Sequence, residues 1–544
     1  HGRREHRAAA AAAAALPCPP RHLPPAAPCR TGRGEREPLS APEPRPRQRR
    51  AAPPQPAPLP RLGHGPARGV PGLHHRGPRP ARPRRRRRHR QPGGRRPPPA
   101  RQLPQLRQGR ALRGPLRRPA RPRHLPRRRP PLEVWSLQRK LASYSFSSRS
   151  LRRFSGRVLR EHLHCRLLPL LDDAAGSGVA FDLQDVLRRC SFDNVCGVAF
   201  GVESSTLLEL EAGDRRSRRH EAFFAAFDDA VEISFARILH PTTLVWKAMR
   251  LANVGSERRM REAIGVIDAY VMGMLEAEQR PRGVPAVDGE GEREQHLLSR
   301  FMAALDEESA SGSGSELGEM FGSPDAKRRF LRDIVVSFVL AGKDSTSSAL
   351  TWFFWLLAAN PRCERCVHEE VTRTPPGDDA GESEELKGMH YLHAALTEAM
   401  RLYPPLPINT RVAAAADVLP DGTTVRAGWF ADYSAYAMGR MPRLWGDHCL
   451  EFRPERWLKG DRGEFVSTDA ARYPVFHAGP RACLGKEMAY VQMKAAAAAV
   501  IRRFAVEMVA TPASMDAPPP YELGATLRMK GGLHVRIMRR DDHF

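Results

Sequence analysis

Between residues 325 and 360 the chain spells a helix with almost no polar face, and this stretch narrows the possible folds more than any other. Residues 334–341 and 349–359 are apolar nearly all the way round, a pattern a helix sustains only when protein or lipid surrounds it. Lys343-Asp344-Ser345-Thr346 interrupts the middle, and a Lys-Asp pair at bilayer depth is costly. The pattern predicts a helix buried inside a large domain rather than a membrane span. It should stop at Pro361, which cannot continue it. Gly342 and the hydroxyls of Ser345, Thr346, Ser347 and Ser348 are expected to weaken the helical ladder locally. An acid beside a hydroxyl at such a break suits the relay of protons into a dry cavity, although polar groups inside a helix also occur as satisfied structural groups.

A domain of that kind needs a long, mixed sequence around the helix, and charge shows where it lies. Residues 1–130 contain 35 Arg, no Lys and 4 Glu, a net +31, whereas residues 131–544 carry −3. The first segment has no Phe, Trp or Tyr and is dense in Pro, Arg, Gly and Ala, with an unbroken run at Arg84–Arg88. So little apolar surface cannot offset the entropy of ordering the backbone, so the segment reads as disordered. Three origins compete for it. A GC-rich reading frame translated out of register would give such text, and the chain has no initiator Met. A true disordered arm would also look like this. An Arg-rich nucleic-acid-binding arm is the third, disfavoured because no aromatic is present to stack on bases. Residues Ala8–Ala15 after a basic start resemble a signal peptide only weakly and are too short to span a membrane.

Residues 131–544 suffice for one large domain. Helical spacing of apolar residues predicts helices over 158–171, 181–200, 223–239 and 258–278, with a short one over 295–305. Residues 281–294 and 310–324 are rich in Gly, Ser, Pro and acids and predict surface loops. Strand-like pieces are few: 423–427, 429–433 and 533–538. The expected fold class is mainly α with small β-sheets. The chain has nine Cys, an odd number without the spacing of a disulfide scaffold. Cys363-x-x-Cys366 lacks a second Cys or His pair for zinc and reads as ordinary residues opening a helix.

The second informative element is Phe476-His477-Ala478-Gly479-Pro480-Arg481-Ala482-Cys483-Leu484-Gly485. A loop containing Gly and Pro delivers a Cys to the start of a predicted helix over 484–504. Free N–H groups at a helix N-terminus and the cation of Arg481 both favour thiolate over thiol. A thiolate is the ligand that pushes electron density through a haem iron into a bound O–O bond.

This loop resembles the haem-ligand motif of the cytochromes P-450 at every defined position, with Cys483 as the axial thiolate. Three further motifs follow that family's pattern. Glu398-Ala399-Met400-Arg401 resembles its E-x-x-R, and Pro454-Glu455-Arg456-Trp457 resembles the motif whose Arg completes an ion-pair triad with them. Ala341-Gly342-Lys343-Asp344-Ser345-Thr346 is similar to the oxygen-activation motif A-G-x-D-T-T. Trp135-x-x-x-Arg139 is similar to the motif that contacts a haem propionate. The wider text, at Phe192-Asp193-Asn194-Val195-Cys196 and over 341–356, 428–457 and 474–494, resembles a plant branch. That branch comprises fatty-acid omega-hydroxylases and relatives that oxidise jasmonoyl–amino acid conjugates.

The resemblance implies the P-450 fold with iron protoporphyrin IX (haem b), and O2 as co-substrate. It implies a lipid-like substrate bearing a carboxylate and hydroxylated at or near its chain end. Electrons would come from NADPH through NADPH-cytochrome P-450 reductase, at the cytosolic face of the endoplasmic reticulum membrane. Asp344, Ser345 and Thr346 would relay protons, with Ser345 standing where the family usually has Thr. Arg139, Arg411 and Arg481 would neutralise propionates, with Trp135, Phe476 and Gly479 completing the haem surroundings. Glu398, Arg401 and Arg456 would form the scaffold, and Ile408, Asn409 and Thr410 would line the substrate cavity. His477 stands where the closest relatives usually have an amide residue. The resemblance runs from about Trp135 to the C-terminus. The anchor, proline-rich hinge, N-terminal sheet and gating loop of relatives are not recognisable in residues 1–130, so an N-terminally incomplete domain is expected. A truncated, non-catalytic haem-binding remnant is then the alternative to an active enzyme.

Overall fold

The structure, a computed structural model, describes residues 106–107, 131–147, 149–202, 204, 206–207, 215–240, 242–279, 296–310, 323–374, 382–461, 463–509, 515 and 517–540. Apart from residues 106–107, the expectations about residues 1–130 lie outside the described residues. So does the loop expected over 281–294, and most of the one expected over 310–324, of which Ala310 instead ends one helix and Ser323-Pro324 opens the next.

Helices carry most of the described chain. They are α1 (Pro131–Ser147), α2 (Arg149–His162), α3 (Leu168–Ser177), α4 (Leu183–Phe200), α5 (Arg215–Leu239), α6 (Thr243–Ala252) and α7 (Gly255–Gln279). Then come α8 (Leu297–Ala310), α9 (Pro324–Ala358), α10 (Pro361–Arg373), α11 (Glu382–Gly388), α12 (His390–Leu402) and α13 (Lys486–Arg503). Among the described residues, no helix is long and apolar enough to cross a membrane.

The helices fall where the sequence puts them, with local corrections. The helix expected over 158–171 spans the end of α2, a π-helical turn at Leu163–Leu167 and the start of α3. Pro169 explains the turn: it has no N–H to give, and its ring crowds the carbonyl a turn earlier. The helix expected from residue 181 begins at Leu183, because Phe181–Asp182 form a strand and the Asp182 side chain accepts the Gln184 N–H (2.9 Å) as N-cap. Ser323 caps α9 through the Ala326 N–H, with Pro324 opening the first turn. Cys363 and Cys366 lie near the start of α10.

The sheets are small and antiparallel. β1 (Leu106–Arg107) pairs with Val412 and Ala413 of β3 (Ile408–Ala413), which pairs in turn with β6 (Phe430–Ser434). β2 is Phe181–Asp182, and β4 (Asp417–Val418) pairs with β5 (Thr424–Val425). A terminal sheet pairs Phe504–Met508 with His534–Arg539, and Phe181–Asp182 joins the latter strand. A hairpin pairs Tyr521–Leu523 with Leu527–Met529.

Two hydrophobic cores meet along α9. Phe330, Leu331, Ile334, Val335 and Val339 belong to the core built with α4, α5, α7 and α8. Leu350 and residues from Trp352 to Leu357 belong to the core built with α3, α10, α12 and α13. The polar run from Lys343 to Ser348 falls between them. α9 crosses α4 closely at Gly342, where a Cβ would stand 2.3 Å from Val195 Cγ2. Gly342→Ala should therefore lower the thermal midpoint despite its better helix propensity, at a cost of about 1–3 kcal/mol from overpacking. Adding Val195→Ala should restore it; a Gly342→Ala protein as stable as the parent would show that the helices are not in contact there.

Candidate active site

Cys483 sits in a loop made of two 3-10 turns, Pro474–Phe476 and Gly479–Arg481, leading into α13. The Cys483 N–H donates to the Phe476 carbonyl (2.8 Å), which closes the loop on itself. Gly479 turns the chain at φ 62°, a conformation that suits glycine. His477 holds φ 61° with a full side chain, a strained backbone for a non-glycine residue. The Cys483 side chain is accessible to water but enclosed by protein on most sides. Burial pushes its thiol up, while the Gly485 N–H, Arg139 and Lys486 pull it down, and the net shift is upward. This corrects the sequence expectation twice. The thiol alone does not favour ionisation, and the cations acting on it are Arg139 and Lys486 rather than Arg481. A thiol of this kind ionises when a metal coordinates it.

Arginines gather on the same side. The Arg139 guanidinium of α1 donates to the Ala482 carbonyl (2.7 Å) and stands 5.8 Å from the Trp135 ring centre. Arg481 stacks on that ring at 3.4 Å. Trp135, Arg139, Arg481 and Cys483 are thus brought together as expected. Arg411 lies on β3, buried, with Nη1 donating to the Thr410 carbonyl (2.9 Å). No carboxylate pairs with it among the described residues. Beside it, Tyr433 Oη and His477 Nδ1 are 2.9 Å apart. Burial and then Arg411 hold the His477 imidazole down to about 4. A buried cation without an anion is costly. Arg411, with Arg139 and Arg481, fits a group that brings an iron for the thiolate and carboxylates at its edge, which a haem supplies.

The loop is held by a buried carboxylate. Glu398, Arg401 and Arg456 meet as expected. Glu398 Oε1 accepts from Arg401 Nη2 (2.7 Å), the Arg453 N–H (3.0 Å) and Arg456 Nε (3.3 Å). Its Oε2 accepts from Arg401 Nε (2.8 Å) and Trp457 Nε1 (2.8 Å). Arg401 also donates to the carbonyls of Gly439, Cys449 (2.6 Å) and Glu451 (3.0 Å). The link to the loop runs through Thr397, whose carbonyl accepts from Tyr473 Oη (3.2 Å) and whose hydroxyl meets Tyr490 Oη (3.0 Å). The Tyr490 ring packs on Phe476 at 5.3 Å. Motif reading did not single out Tyr473, Tyr490 and Tyr433, and it quoted Trp457 and His477 without giving them a role, because their partners are far away in sequence.

On α9 the expected break is absent. The helix is continuous from Pro324 to Ala358, and its hydroxyls bond carbonyls one turn back. Ser345 Oγ donates to Ala341 (2.5 Å) and Ser347 Oγ to Lys343 (2.9 Å). Ser348 Oγ instead donates to the Leu527 carbonyl (2.7 Å). Asp344 and Thr346 are buried and Ser345 is half-buried. On β3, Ile408 and Thr410 share one face, with Ile408 46% exposed; Asn409 and Arg411 share the other and are buried.

An accessible cysteine thiol at a helix start, with Arg139 beside it, a buried Arg411 without a carboxylate among the described residues, and a buried Glu-Arg scaffold as brace, defines a haem-thiolate protein. The chain belongs to the cytochrome P450 family: the family model "Cytochrome P450" matches residues 119–531, beginning ahead of Trp135. Among its relatives, "Cytochrome P450 CYP94D108" of Paris polyphylla is 44% identical, covering 75% of this chain and 75% of the relative. "Cytochrome P450 94B3" of Arabidopsis thaliana is 42% identical, covering 75% and 74%, and "Cytochrome P450 94A2" of Vicia sativa is 40% identical, also covering 75% and 74%. The protein is therefore of a monooxygenase family that uses haem iron, O2 and electrons from a reductase. Haem iron supplies the activation of O2; Cys483 would ligate it and the three arginines would face its carboxylates.

Cys483→Ala should fold with unchanged helicity and lose the thiolate-type band in the carbon-monoxide difference spectrum of the reduced protein. Glu398→Gln removes the charge that Arg401 needs, a loss of about 3–5 kcal/mol. It should yield little folded protein; a soluble variant with a normal band would contradict the scaffold role.

The site also predicts a dependence on pH. Burial depresses His162 and His477 to about 4 and His393 to about 3, with Arg166, Arg411 and Lys494 as the next causes. Their unfolded values are about 6.5, so between these limits the unfolded chain binds more protons. Stability is fully present above about 6.5 and falls as pH drops toward the folded values. Thermal midpoints measured from pH 7.5 to about 4.5 should decline, and His393→Phe should make the decline shallower. An equal decline in that variant would remove His393 from the account.

Proposed function

We propose that the protein hydroxylates an aliphatic, carboxylate-bearing substrate at or near its chain end, a fatty acid or a jasmonoyl–amino acid. Haem b is its prosthetic group and NADPH-cytochrome P-450 reductase its electron donor. It works at the cytosolic face of the endoplasmic reticulum membrane. Ile408 and Thr410 line its substrate cavity from one face of β3, Asn409 lies on the other face with Arg411, and Asp344, Ser345 and Thr346 relay protons to the site of O2 activation.

The observation that carries this reading is the accessible strip on α9. Ser337 and Ala341 are exposed and Ser345 half-buried, at i, i+4 and i+8 on one helix face, with exposed Leu340 beside them. Beyond Ser345 every residue to Leu357 is buried. A narrow, largely apolar strip ending at a hydroxyl suits an extended chain whose tip meets the reacting centre. Similarity to the 94A, 94B, 94C and 94D series of relatives supports the same branch.

The test is reconstitution with reductase and NADPH, offering dodecanoic acid and a jasmonoyl–amino acid. Hydroxylation at or next to the chain end of either is expected; turnover of neutral aliphatic substrates alone would overturn the reading. Ser345 keeps the hydroxyl but lacks the methyl that fixes its rotamer. Ser345→Thr should raise product formed per O2 consumed, and an unchanged ratio would show that the rotamer is already fixed.

A further inference from the structure

Four elements bring charge to one buried point: Lys343 and Asp344 of α9, Arg188 of α4, Asp228 of α5 and Arg528 of the terminal hairpin. Lys343 Nζ lies 2.9 Å from Asp344 Oδ1 and 3.1 Å from Asp228 Oδ1. Only the contact with Asp228 has hydrogen-bond geometry. Arg188 divides itself the same way. Its Nη2 donates to Asp228 Oδ2 (2.6 Å), while its Nε stands 3.6 Å from Asp344 Oδ1 without a hydrogen bond. Arg528 Nη1 is a third donor to Asp228, at 3.2 Å.

Asp344 Oδ1 is consequently a buried carboxylate oxygen with two cations close by and no hydrogen-bond partner. Burial works against the charge of Asp228, yet Lys343, Arg188 and Arg528 hold it below the usual carboxylate range, so it stays ionised and keeps its claim on the donors. Phenylalanines confine the cations as well: the Lys343 amine stands 4.8 Å from the Phe224 ring centre and 5.6 Å from that of Phe227. An oxygen whose lone pairs are tied to a guanidinium or ammonium is a poor proton carrier. One that feels their field without their hydrogen bonds can take and release a proton.

We propose that Asp228 is a positioning residue: by taking the hydrogen bonds of Lys343 and Arg188 it leaves Asp344 Oδ1 free to pass protons to the Ser345 hydroxyl. This rests on the reading of Asp344 as a proton relay. Without Asp228, both cations have one carboxylate left to bind, and they close on Asp344.

The test compares Asp228→Asn, Asp228→Glu, Asp344→Asn and the double variant Asp228→Asn/Asp344→Asn. Each is haem-loaded, checked by its carbon-monoxide spectrum, and supplied with reductase, NADPH and dodecanoic acid. The readouts are the rate of O2 consumption and its solvent isotope effect in D2O. Asp228→Asn should slow O2 consumption roughly tenfold, below the usual worth of a positioned acid–base group, and raise the isotope effect. Asp228→Glu should recover most of the rate, and Asp228→Asn should add nothing in the Asp344→Asn background. A crystal structure of Asp228→Asn should show Lys343 or Arg188 hydrogen-bonded to Asp344.

An unchanged rate in Asp228→Asn, or an effect that adds fully to that of Asp344→Asn, would overturn the positioning role and leave the relay reading standing. A parental rate and isotope effect in Asp344→Asn would overturn the relay reading and the proposal with it. Should Asp228→Asn fail to fold, Lys343→Met/Arg188→Gln/Asp228→Asn removes Asp228 together with both cations that would close on Asp344. That variant should keep a near-parental rate, since neither clamping cation is left, and a rate as low as that of Asp344→Asn would overturn the proposal.

Discussion

The carboxylate of Glu398 is the interaction on which the Cys483 side of the protein depends. It is fully buried and accepts five hydrogen bonds from four residues, Arg401, Arg453, Arg456 and Trp457. A buried ion is tolerable only when nearly every lone pair is satisfied and the charge is matched. Here the match is Arg401, which is itself buried and must find donors' partners in the carbonyls of Gly439, Cys449 and Glu451. Satisfying one ion therefore fixes two otherwise irregular segments, around Gly439 and Cys449–Glu451, relative to α12. Those segments have little secondary structure of their own, so the ion pair does for them what a ladder does for a sheet. The Cys483 loop inherits its place from this arrangement through Thr397, Tyr473, Tyr490 and Phe476.

α9 imposes the second constraint. Its two apolar halves belong to different cores, and the only polar stretch between them lies at the seam. The hydroxyls of Ser345 and Ser347 bond helix carbonyls, so the polar run costs the helix no hydrogen bonds and need not break it. The charges of Lys343 and Asp344 could not be treated that way. Lys343 finds Asp228 of α5 and Asp344 has Arg188 of α4 nearby, while Arg528 of the hairpin reaches the cluster only through Asp228. The seam thus joins elements that neither core would hold together, and the ion cluster is the polar counterpart of the close crossing at Gly342.

What the sequence discloses and what it hides divides along chain distance. Glu398 and Arg401 are three residues apart on one helix face, and their pairing is readable from spacing alone. The ends of α9 are equally plain, since Ser323-Pro324 and Pro361 are local signals. β3 was hidden because Pro404-Pro405 precedes it and its residues Asn409, Thr410 and Arg411 are polar; only the pairing with β6 makes it a strand. Arg481 looked like the cation for Cys483 because it is two residues away. In the fold its guanidinium turns to Trp135, and Arg139, far upstream in the chain, takes that place. His477 and Tyr433, and likewise Asp228 and Lys343, meet only through tertiary packing, so neither pair leaves a mark in any local window.

The charges around Cys483 connect folding to cofactor loading. Arg139 and Lys486 act on a thiol that burial keeps protonated more readily than in water, and Arg411 stands buried beside His477 of the same loop. Cys483 would hold a haem iron as thiolate, releasing its proton, and Arg411 would face a carboxylate of the same group, whose iron would supply the chemistry of O2 activation. Arg411 shows the point most clearly: it is buried, its guanidinium donates to a neighbouring carbonyl, and it adds to the burial that lowers the His477 imidazole rather than pairing with it. A carboxylate bound beside Arg411 would therefore relieve the cost of burying that cation.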